Sequence, residues 1–424
     1  MRSEPMRDYS NINDPIVQRI RAMEERAASL REDGLYFYNQ PVSGLRGAAR
    51  AIVNGREMTI FASYSYLGLV GHPRINAAAQ AAIEKYGTGT HGVRTLAGTL
   101  DLHRDLERTI ADFKGAEDAV TFSSGYVTNY STISALVGRG DYVISDKFNH
   151  ASIVDGCLMS GAKMLRFRHN DMAHLEARLR QANEANPQAA KLVVTDAVFS
   201  MDGDIIDLPA VVELCREYDA WLMMDEAHSV GVLGETGRGI EEYFGLEGAV
   251  DIKMGTLSKT IPSVGGYVAG RRELTDFLRH ASRGYIFSAA LPPAQAAAAL
   301  EAFRVIQDEP WRVEKLRANT KQFIEGLQAR GFNTLYSETA VVPVLCGSDE
   351  LAYQMTRECQ MHDVFILPVV SPAVPHGLAR LRATVTAAHE PDEIEHAMDV
   401  LAQAARKLDL FARLEEILAA DARL

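Results

Sequence analysis

The sequence predicts an α/β protein with a mainly parallel sheet in a large domain and a smaller C-terminal α+β domain. Two observations support the large domain. From about residue 60 to residue 290, short apolar runs alternate with stretches whose apolar residues recur at helical spacing. Polar residues follow several of these runs, at the strand ends where open α/β sheets bind ligands. A third observation, the loss of this alternation after Pro292-Pro293, indicates the second domain.

A charged helix is predicted first, from Pro15 to about Glu32. Such an arm can pack on its own body or on a partner subunit. We assign residues 1–58 to this arm and a short strand segment. The apolar residues that recur at helical spacing are Ile16, Ile20, Met23, Ala27 and Leu30.

Five buried strands are predicted in the large domain, which we place at residues 59–292. They are Asp118–Ser123, Asp141–Ser145, Lys191–Thr195, Ala220–Met224 and Asp251–Thr256. The helical stretches between them include Leu102–Phe113, Met172–Ala182 and Leu208–Tyr218. Alternation of this length implies a mainly parallel sheet covered by helices on both faces.

The remaining residues, 293–424, begin with an alanine-rich helix at Ala294–Ile306. Helices then mix with short strands, and the tail from Glu393 to Leu424 reads as helical. This mixture predicts the smaller α+β domain. Its predicted strands are Ala340–Leu345, Val364–Pro368 and Leu381–Thr386.

Composition excludes several classes of protein. Hydrophobic residues make up 47% and charged residues 24% of the 424 residues, as in ordinary globular proteins. A net charge of -12 argues against a nucleic-acid surface. The four cysteines have no CxxC spacing, so we expect free thiols in a reducing cytoplasm and no metal site. Met1–Pro5 lead into polar sequence without the apolar region of a signal peptide, and no stretch is long enough for a membrane span.

The residue that indicates the chemistry is Lys259, in Gly255-Thr256-Leu257-Ser258-Lys259-Thr260. A lysine amine forms a Schiff base with an aldehyde cofactor. Asp225, in Asp225-Glu226-Ala227-His228, follows an apolar run, and a carboxylate there is costly to bury without a partner. A protonated pyridine nitrogen supplies that partner, so the two residues predict a pyridoxal phosphate site.

A phosphate site is predicted where the first buried strand meets the next helix. Ser124, Gly125 and Tyr126 lie at that junction, and free amides at a helix N-terminus bind phosphate. Gly-containing turns of this kind are common, so the segment alone is a weak signal. Thr256 and Ser258, beside the lysine, offer hydroxyls to the same phosphate.

Three further residues follow predicted strands. His150, in Asn149-His150-Ala151-Ser152, can stack on a pyridine ring. His228 can reach the phenolic oxygen of the cofactor, and Ser200 can do the same, although a plain turn role explains Ser200 equally well. Late in the chain, Arg382 alternates with apolar Leu381 and Ala383 on a strand, which suits bidentate capture of a substrate carboxylate.

Together these segments resemble the α-oxoamine synthases, a family of fold-type-I pyridoxal phosphate enzymes. The resemblance implies a mainly parallel, seven-stranded sheet in the large domain. The resemblance covers roughly residues 35 to 400. Besides the segments above, it rests on Tyr66-Leu67-Gly68-Leu69, Tyr86-Gly87-Thr88-Gly89 with Gly92 and Arg94, Gly98-Thr99 with Leu102-His103 and Leu106-Glu107, and Phe287-Ser288 before Leu291-Pro292-Pro293.

The resemblance implies a role for each candidate. Lys259 becomes the Schiff-base lysine, His150 the stacking residue and Asp225 the pyridinium partner. His228 and Ser200 become the contacts to the phenolic oxygen. The resemblance also implies a homodimer with shared active sites, in which Ser288 reaches the phosphate bound by the other subunit. The implied phosphate ligands are Ser124, Gly125, Tyr126, Thr256 and Ser258.

The implied reaction condenses a small α-amino acid with an acyl thioester, releasing CO2 and a free thiol and giving an α-amino ketone. The donor is acyl-coenzyme A or an acyl-carrier protein. Many members have an asparagine at the position of Ser65, and this asparagine helps to bind the substrate carboxylate. The serine can still donate one hydrogen bond to the carboxylate, but its side chain is shorter. The Ser63-Tyr64 pair resembles the serine palmitoyltransferase branch, with Tyr64 in its active site.

The branch signals conflict, because Ser371–Gly377 resembles branches that use glycine or alanine. We therefore keep serine, glycine and alanine open, with a serine palmitoyltransferase-like activity ahead. The alternatives are glycine C-acetyltransferase and 8-amino-7-oxononanoate synthase-like activities. More remote are another fold-type-I aminotransferase or decarboxylase, and an inactive regulatory subunit, which is expected to lack Lys259.

Overall fold

A computed structural model describes residues 9–421. Met1–Pro5 and the last three residues of the predicted helical tail therefore lie outside the described residues. The predicted first helix is confirmed as α1 (Pro15–Glu32), which Asp14 caps by accepting hydrogen bonds from the amides of Ile16 and Val17. The next elements are β1 (Val42–Leu45), β2 (Arg50–Val53), β3 (Arg56–Ile60), α2 (Pro73–Tyr86) and α3 (Asp101–Lys114).

Alternating strands and helices form the centre of the chain, as predicted. They are β4 (Asp118–Phe122), α4 (Gly125–Leu136), β5 (Tyr142–Asp146), α5 (Ala151–Ser160), β6 (Lys163–Phe167), α6 (Met172–Ala185), β7 (Lys191–Asp196), α7 (Leu208–Glu217), β8 (Trp221–Asp225), α8 (Ile240–Phe244), β9 (Ile252–Thr256) and β10 (Gly266–Gly270). The seven strands form one sheet in the order β4-β10-β9-β8-β7-β5-β6. Only β10 runs antiparallel to its neighbours in this sheet.

The parallel strands bring their carboxyl ends to one edge of the sheet. In the register of β7 with β8, Asp196 lies opposite Asp225, and both strands end at these residues. Strand β9 ends beside them at Thr256, and α4 begins at Gly125 directly after β4. Residues from distant parts of the sequence therefore meet at this edge, which is where doubly wound sheets bind ligands.

The C-terminal part of the chain adds helices and a three-stranded sheet of order β11-β14-β13, and it completes a four-stranded sheet of order β1-β2-β3-β12. Its elements are α9 (Arg272–Ala281), α10 (Arg283–Ile286), α11 (Pro293–Asp308), α12 (Trp311–Ala329), β11 (Val341–Gly347), α13 (Asp349–Met361), β12 (Val364–Phe365), β13 (Leu367–Val369), β14 (Ala379–Thr384), α14 (Pro391–Lys407) and α15 (Leu410–Asp421). The prediction of one strand at Val364–Pro368 is wrong. The chain changes sheets at Ile366, so that β12 pairs with β3 and β13 pairs with β14.

The packing of α11 bears on the predicted boundary between the large and the small domain. This helix packs against α2 and α3, and its buried alanines belong to the same core as the large sheet. The division at residue 292 stays a prediction. Within residues 9–421, none of the helices combines the length and apolar character needed to span a bilayer.

Candidate active site

A cavity of about 250 Å³ opens at the carboxyl edge of the large sheet. Ten of the predicted site residues line it, although they come from five separate parts of the chain. They are Ser124, Gly125, Tyr126, His150, Ser200, Asp225, His228, Thr256, Ser258 and Lys259. The other four predicted residues, Tyr64, Ser65, Ser288 and Arg382, are not among the residues that line it.

Lys259 lies in the loop after β9, and its Nζ atom is 2.9 Å from Nε2 of His228. Burial lowers the pKa of the Lys259 amine to about 8, although Asp225 and Asp196 act in the opposite direction. An amine with this pKa is partly neutral at neutral pH. The neutral form is the one that attacks an aldehyde or accepts a proton.

Asp225 is buried at the end of β8 and is held by two hydrogen bonds. Its carboxylate accepts from Nδ2 of Asn129 at 2.7 Å and from the amide of Ala227 at 2.9 Å. The same Asn129 nitrogen donates to Oγ of Ser152 at 2.9 Å, and this hydroxyl lies 2.7 Å from Nδ1 of His150. One network therefore links the carboxylate to the imidazole, and both side chains line the cavity.

The start of α4 forms one end of the cavity, the predicted phosphate end. Ser124 caps this helix by accepting from the amide of Val127 at 3.1 Å. The first amides of a helix have no partner inside it and can bind an anion. A Cβ atom on Gly125 would lie 2.9 Å from Oγ1 of Thr256, so glycine is needed there. Thr256 and Ser258 place their hydroxyls 2.9 Å apart on the facing side.

Arg382 reaches the site from β14. Its Nε donates to the carbonyl of Ser200 at 2.5 Å and its Nη1 to Oγ1 of Thr384 at 3.0 Å. Its buried Nη2 has no hydrogen-bond partner among the described residues. The guanidinium Cζ lies 4.9 Å from the centroid of the Tyr64 ring, and Nζ of Lys259 lies 5.6 Å from the same centroid. Arg382 therefore places one guanidinium nitrogen without a hydrogen-bond partner in the same group of side chains as the lysine.

The remaining predicted residues have different surroundings. Ser65 is buried, and its hydroxyl has no partner within the described part of the chain. Tyr126 lines the cavity but donates its hydroxyl proton to Asp155, away from the phosphate end. Ser288 is half-buried beside the exposed Phe287 and does not line the cavity of its own chain.

Four residues that contribute to the site were missed in the sequence: Tyr66, Asn129, Ser152 and Asp196. Asn129 lies one helical turn after Gly125, so helical spacing could have indicated it. Asp196 ends β7 as Asp225 ends β8, and a carboxylate after a buried run was the signal used for Asp225. Burial and the neighbouring Asp225 raise the pKa of Asp196 well above its usual range. Tyr66 is considered below.

The arrangement fits pyridoxal phosphate. The amides and hydroxyls at the start of α4 can hold the phosphate, and the Asp225 carboxylate can hold the protonated ring nitrogen. Lys259 can hold the aldehyde carbon. No group of three or more His, Cys, Asp or Glu side chains that could bind a metal occurs within residues 9–421.

Comparison with known proteins identifies the family of this chain. Residues 56–401 match the family "Aminotransferase class I and II". The chain is 42% identical to 8-amino-7-oxononanoate synthase of Thermoanaerobacter pseudethanolicus over 388 residues, 92% of this chain and 98% of the relative. The same enzyme of Exiguobacterium sibiricum is 45% identical over 362 residues, 85% and 92% of the two chains.

A solved structure of serine palmitoyltransferase with its pyridoxal phosphate internal aldimine superposes with a TM-score of 0.90. It is 34% identical, and the match covers 94% of this chain and all of that one. The curated relatives and this structure thus carry two different enzyme names on one fold.

Proposed function

This chain belongs to the α-oxoamine synthases of the aminotransferase class I and II family, and we propose that it condenses alanine with a seven-carbon acyl thioester ending in a carboxylate. The general class, a pyridoxal phosphate-dependent acyltransferase, follows from the family. The curated relatives support the finer substrate choice. Their product name, 8-amino-7-oxononanoate, describes a nine-carbon chain whose amino carbon bears a methyl group. Alanine supplies that end when it loses its carboxyl group.

One observation carries the condensation reaction. The guanidinium of Arg382 and the amine of Lys259 both lie against the Tyr64 ring, at 4.9 and 5.6 Å. An amino acid held by its carboxylate at Nη2 of Arg382 then presents its Cα toward Lys259. This orientation suits removal of the α-proton by the amine.

When bound, pyridoxal phosphate would supply the electron sink that stabilises negative charge at Cα of the amino acid. Asp225 supports that role, because a fixed carboxylate keeps the ring nitrogen protonated. Two hydrogen bonds and burial hold this carboxylate in place.

Lys259 is the proposed base and, later, the acid. With a pKa near 8 its amine can both accept and return a proton near neutral pH. His150 also lines the cavity, and it is the proposed contact to the acyl oxygen or the substrate carboxylate. Its Nδ1 faces Ser152, so Nε2 is the nitrogen left for the substrate.

The substrate preference differs from the one favoured by the sequence, where serine was ahead. Identity of 42% over most of both chains favours the 8-amino-7-oxononanoate synthase-like alternative. A serine palmitoyltransferase-like reaction remains the second candidate. It is supported by the 0.90 TM-score and by the position of Tyr64 between Arg382 and Lys259.

A substrate panel tests the proposal. Purified protein with pyridoxal phosphate is incubated with alanine, glycine or serine, and with coenzyme A thioesters of a seven-carbon ω-carboxy acid or of palmitate. Release of free thiol is measured. We expect the fastest release with alanine and the ω-carboxy thioester. Faster release with serine and palmitoyl thioester would favour the second candidate, and a keto-acid product without thiol would favour an aminotransferase.

We also propose a homodimer in which Ser288 contacts the phosphate held by the other subunit. Phe287, next to Ser288, is 70% exposed and Leu96 is 83% exposed, and large apolar side chains this open to solvent are typical of a surface that a partner subunit covers. Sedimentation of wild type and Leu96→Glu tests this, with a dimer expected only for the wild type.

The acyl donor is coenzyme A or an acyl-carrier protein, and offering the thioester of each in the panel distinguishes the two. Four buried, unpaired cysteines support a cytoplasmic location.

A further inference from the structure

Tyr66 lies behind the catalytic lysine in a chain of three side chains. Its side chain is fully buried, and its Oη atom lies 2.5 Å from Nδ1 of His228. On the far side of the same ring, Nε2 of His228 lies 2.9 Å from Nζ of Lys259. We propose that Tyr66 is a positioning residue that fixes the tautomer of His228 and so keeps Lys259 in its neutral, proton-accepting form.

The first step concerns how many protons the ring of His228 carries. Burial lowers the pKa of His228 well below its usual range, and the nearby Lys259, Arg382 and His150 act in the same direction. The Tyr64 ring approaches it edge-on at 5.8 Å and offers no compensating charge. The imidazole is therefore neutral and has a single ring proton, on one nitrogen or the other.

The second step places the proton of Tyr66. Burial raises the pKa of its hydroxyl to about 12, so the hydroxyl is protonated. Arg382, the charged neighbour of Tyr66, opposes this rise. A guanidinium only donates hydrogen bonds and cannot accept the tyrosine proton. The hydroxyl proton is thus directed to Nδ1 of His228, which must accept it with a lone pair.

The third step follows from the other two. With Nδ1 acting as acceptor, the ring proton is on Nε2 and points at Nζ of Lys259. A neutral amine accepts this hydrogen bond with its lone pair, whereas an ammonium group would face a second donor. Tyr66 therefore favours the neutral amine through His228, without touching the amine itself. The consequence for the reaction rests on the proposed function, but the effect on the amine does not.

The test compares Tyr66→Phe with a matched control, Tyr267→Phe. Tyr267 is also buried, and its hydroxyl has no hydrogen-bond partner within the described residues. In each full-length, cofactor-free protein, the pH dependence of acetic anhydride labelling at Lys259 gives the pKa of its amine. We expect the pKa of the Lys259 amine to rise by about one in Tyr66→Phe, because the hydroxyl that fixes the tautomer of the His228 ring is lost. We expect no change in Tyr267→Phe.

A Tyr66→Phe protein that melts at a lower temperature but keeps the wild-type pKa at Lys259 would show a merely structural role and overturn the inference. If Tyr66→Phe does not fold, a second measurement on the wild-type protein tests the inference instead. In the 15N-histidine spectrum of the full wild-type chain, the His228 signals are those lost in His228→Gln. We expect protonated Nε2 and unprotonated Nδ1, and the reverse pattern would also overturn the inference.

Neither measurement uses an amino acid or a thioester. A protein that passes both but releases no thiol in the substrate panel keeps the inference about Tyr66 and loses the proposed function. A protein that releases thiol while Tyr66→Phe leaves the Lys259 pKa unchanged keeps the proposed function and loses the inference.

Discussion

The guanidinium of Arg382 lies over the face of the Tyr64 ring, with 4.9 Å between Cζ and the ring centroid. The two residues are more than three hundred positions apart in the sequence. A cation over an aromatic face is attracted to it, and the contact fixes the plane of the guanidinium. The free Nη2 then has a defined direction, which is what recognition of a carboxylate requires.

Replacing Arg382 by lysine should weaken amino acid binding while leaving the cofactor in place. The variant keeps the charge but loses the planar pair of donors. We expect KM for the amino acid to rise roughly tenfold to a hundredfold, the range for a charge-assisted hydrogen bond. Absorbance of the bound cofactor should stay unchanged, because Arg382 does not line the cofactor cavity.

Arg380→Lys is the matched control on the same strand. Arg380 is buried and paired with Asp202 at 2.6 Å, so its role is structural. We expect a lower melting temperature without a comparable rise in KM. Equal effects of the two variants on KM would contradict a specific carboxylate role for Arg382.

The rate of cofactor loading should depend on pH through the Lys259 amine. Only the neutral amine attacks the aldehyde, and its pKa is lowered to about 8. The neutral fraction therefore rises roughly tenfold from pH 7 to pH 9 and then levels off. Stopped-flow absorbance after mixing with pyridoxal phosphate measures this. A rate that keeps rising through pH 10 would indicate an ordinary lysine pKa.

Asp225→Asn should reduce cofactor affinity. The amide keeps the shape of the carboxylate but cannot pair with a charged ring nitrogen, and loss of such a pair typically weakens binding roughly tenfold to a hundredfold. Equilibrium titration with pyridoxal phosphate measures the change. Asp196→Asn is the control, since the raised pKa of Asp196 means that this substitution removes less charge. A larger loss in the control would contradict the assignment of Asp225.

His169 should stabilise the fold in a pH-dependent way. Its imidazole bridges Asp146 at 3.1 Å and Asp204 at 2.9 Å, and these carboxylates raise its pKa to about 9 against the effect of burial. The folded pKa lies above the unfolded value near 6.5. The stabilisation, about 3 kcal/mol, is therefore fully present below pH 6.5 and lost as pH rises through 9.

Melting temperatures of wild type and His169→Gln test this. We expect the gap between them to narrow from pH 6 to pH 9.5. His174→Gln is the control, because His174 is not held between two carboxylates, and its gap should not narrow. A gap for His169→Gln that stays constant over this range would contradict the account.

For five of the seven strands of the large sheet, the sequence predicted both ends to within one residue, because each strand is a mostly apolar run bounded by polar residues. Two strands of the same sheet were missed for physical reasons. β6, Lys163–Phe167, carries exposed residues at the edge of the sheet. β10, Gly266–Gly270, begins and ends with glycine, the residue least typical of strands.

For the site, residues at strand ends could be predicted, because the end of an apolar run is visible in the sequence. Tyr66 could not be found in this way. It follows no strand directly, and its importance comes from a contact with His228, 162 positions later in the chain. Asn129 and Ser152 act through Asp225 and His150. Helical spacing places Asn129 one turn after Gly125, but its hydrogen bond to Asp225 can be seen only in the folded chain.

The most direct test of the central claim is the ratio of CO2 to thiol released. Alanine, glycine and serine labelled with 13C at the carboxyl carbon are each offered with the thioesters described above. For the amino acid and thioester that the enzyme accepts, we predict one labelled CO2 for each free thiol. We expect Lys259→Ala to fold, to lack the absorbance of the lysine Schiff base and to release neither product. Thiol release with the label retained in the product, or turnover by Lys259→Ala, would contradict decarboxylative condensation at this lysine.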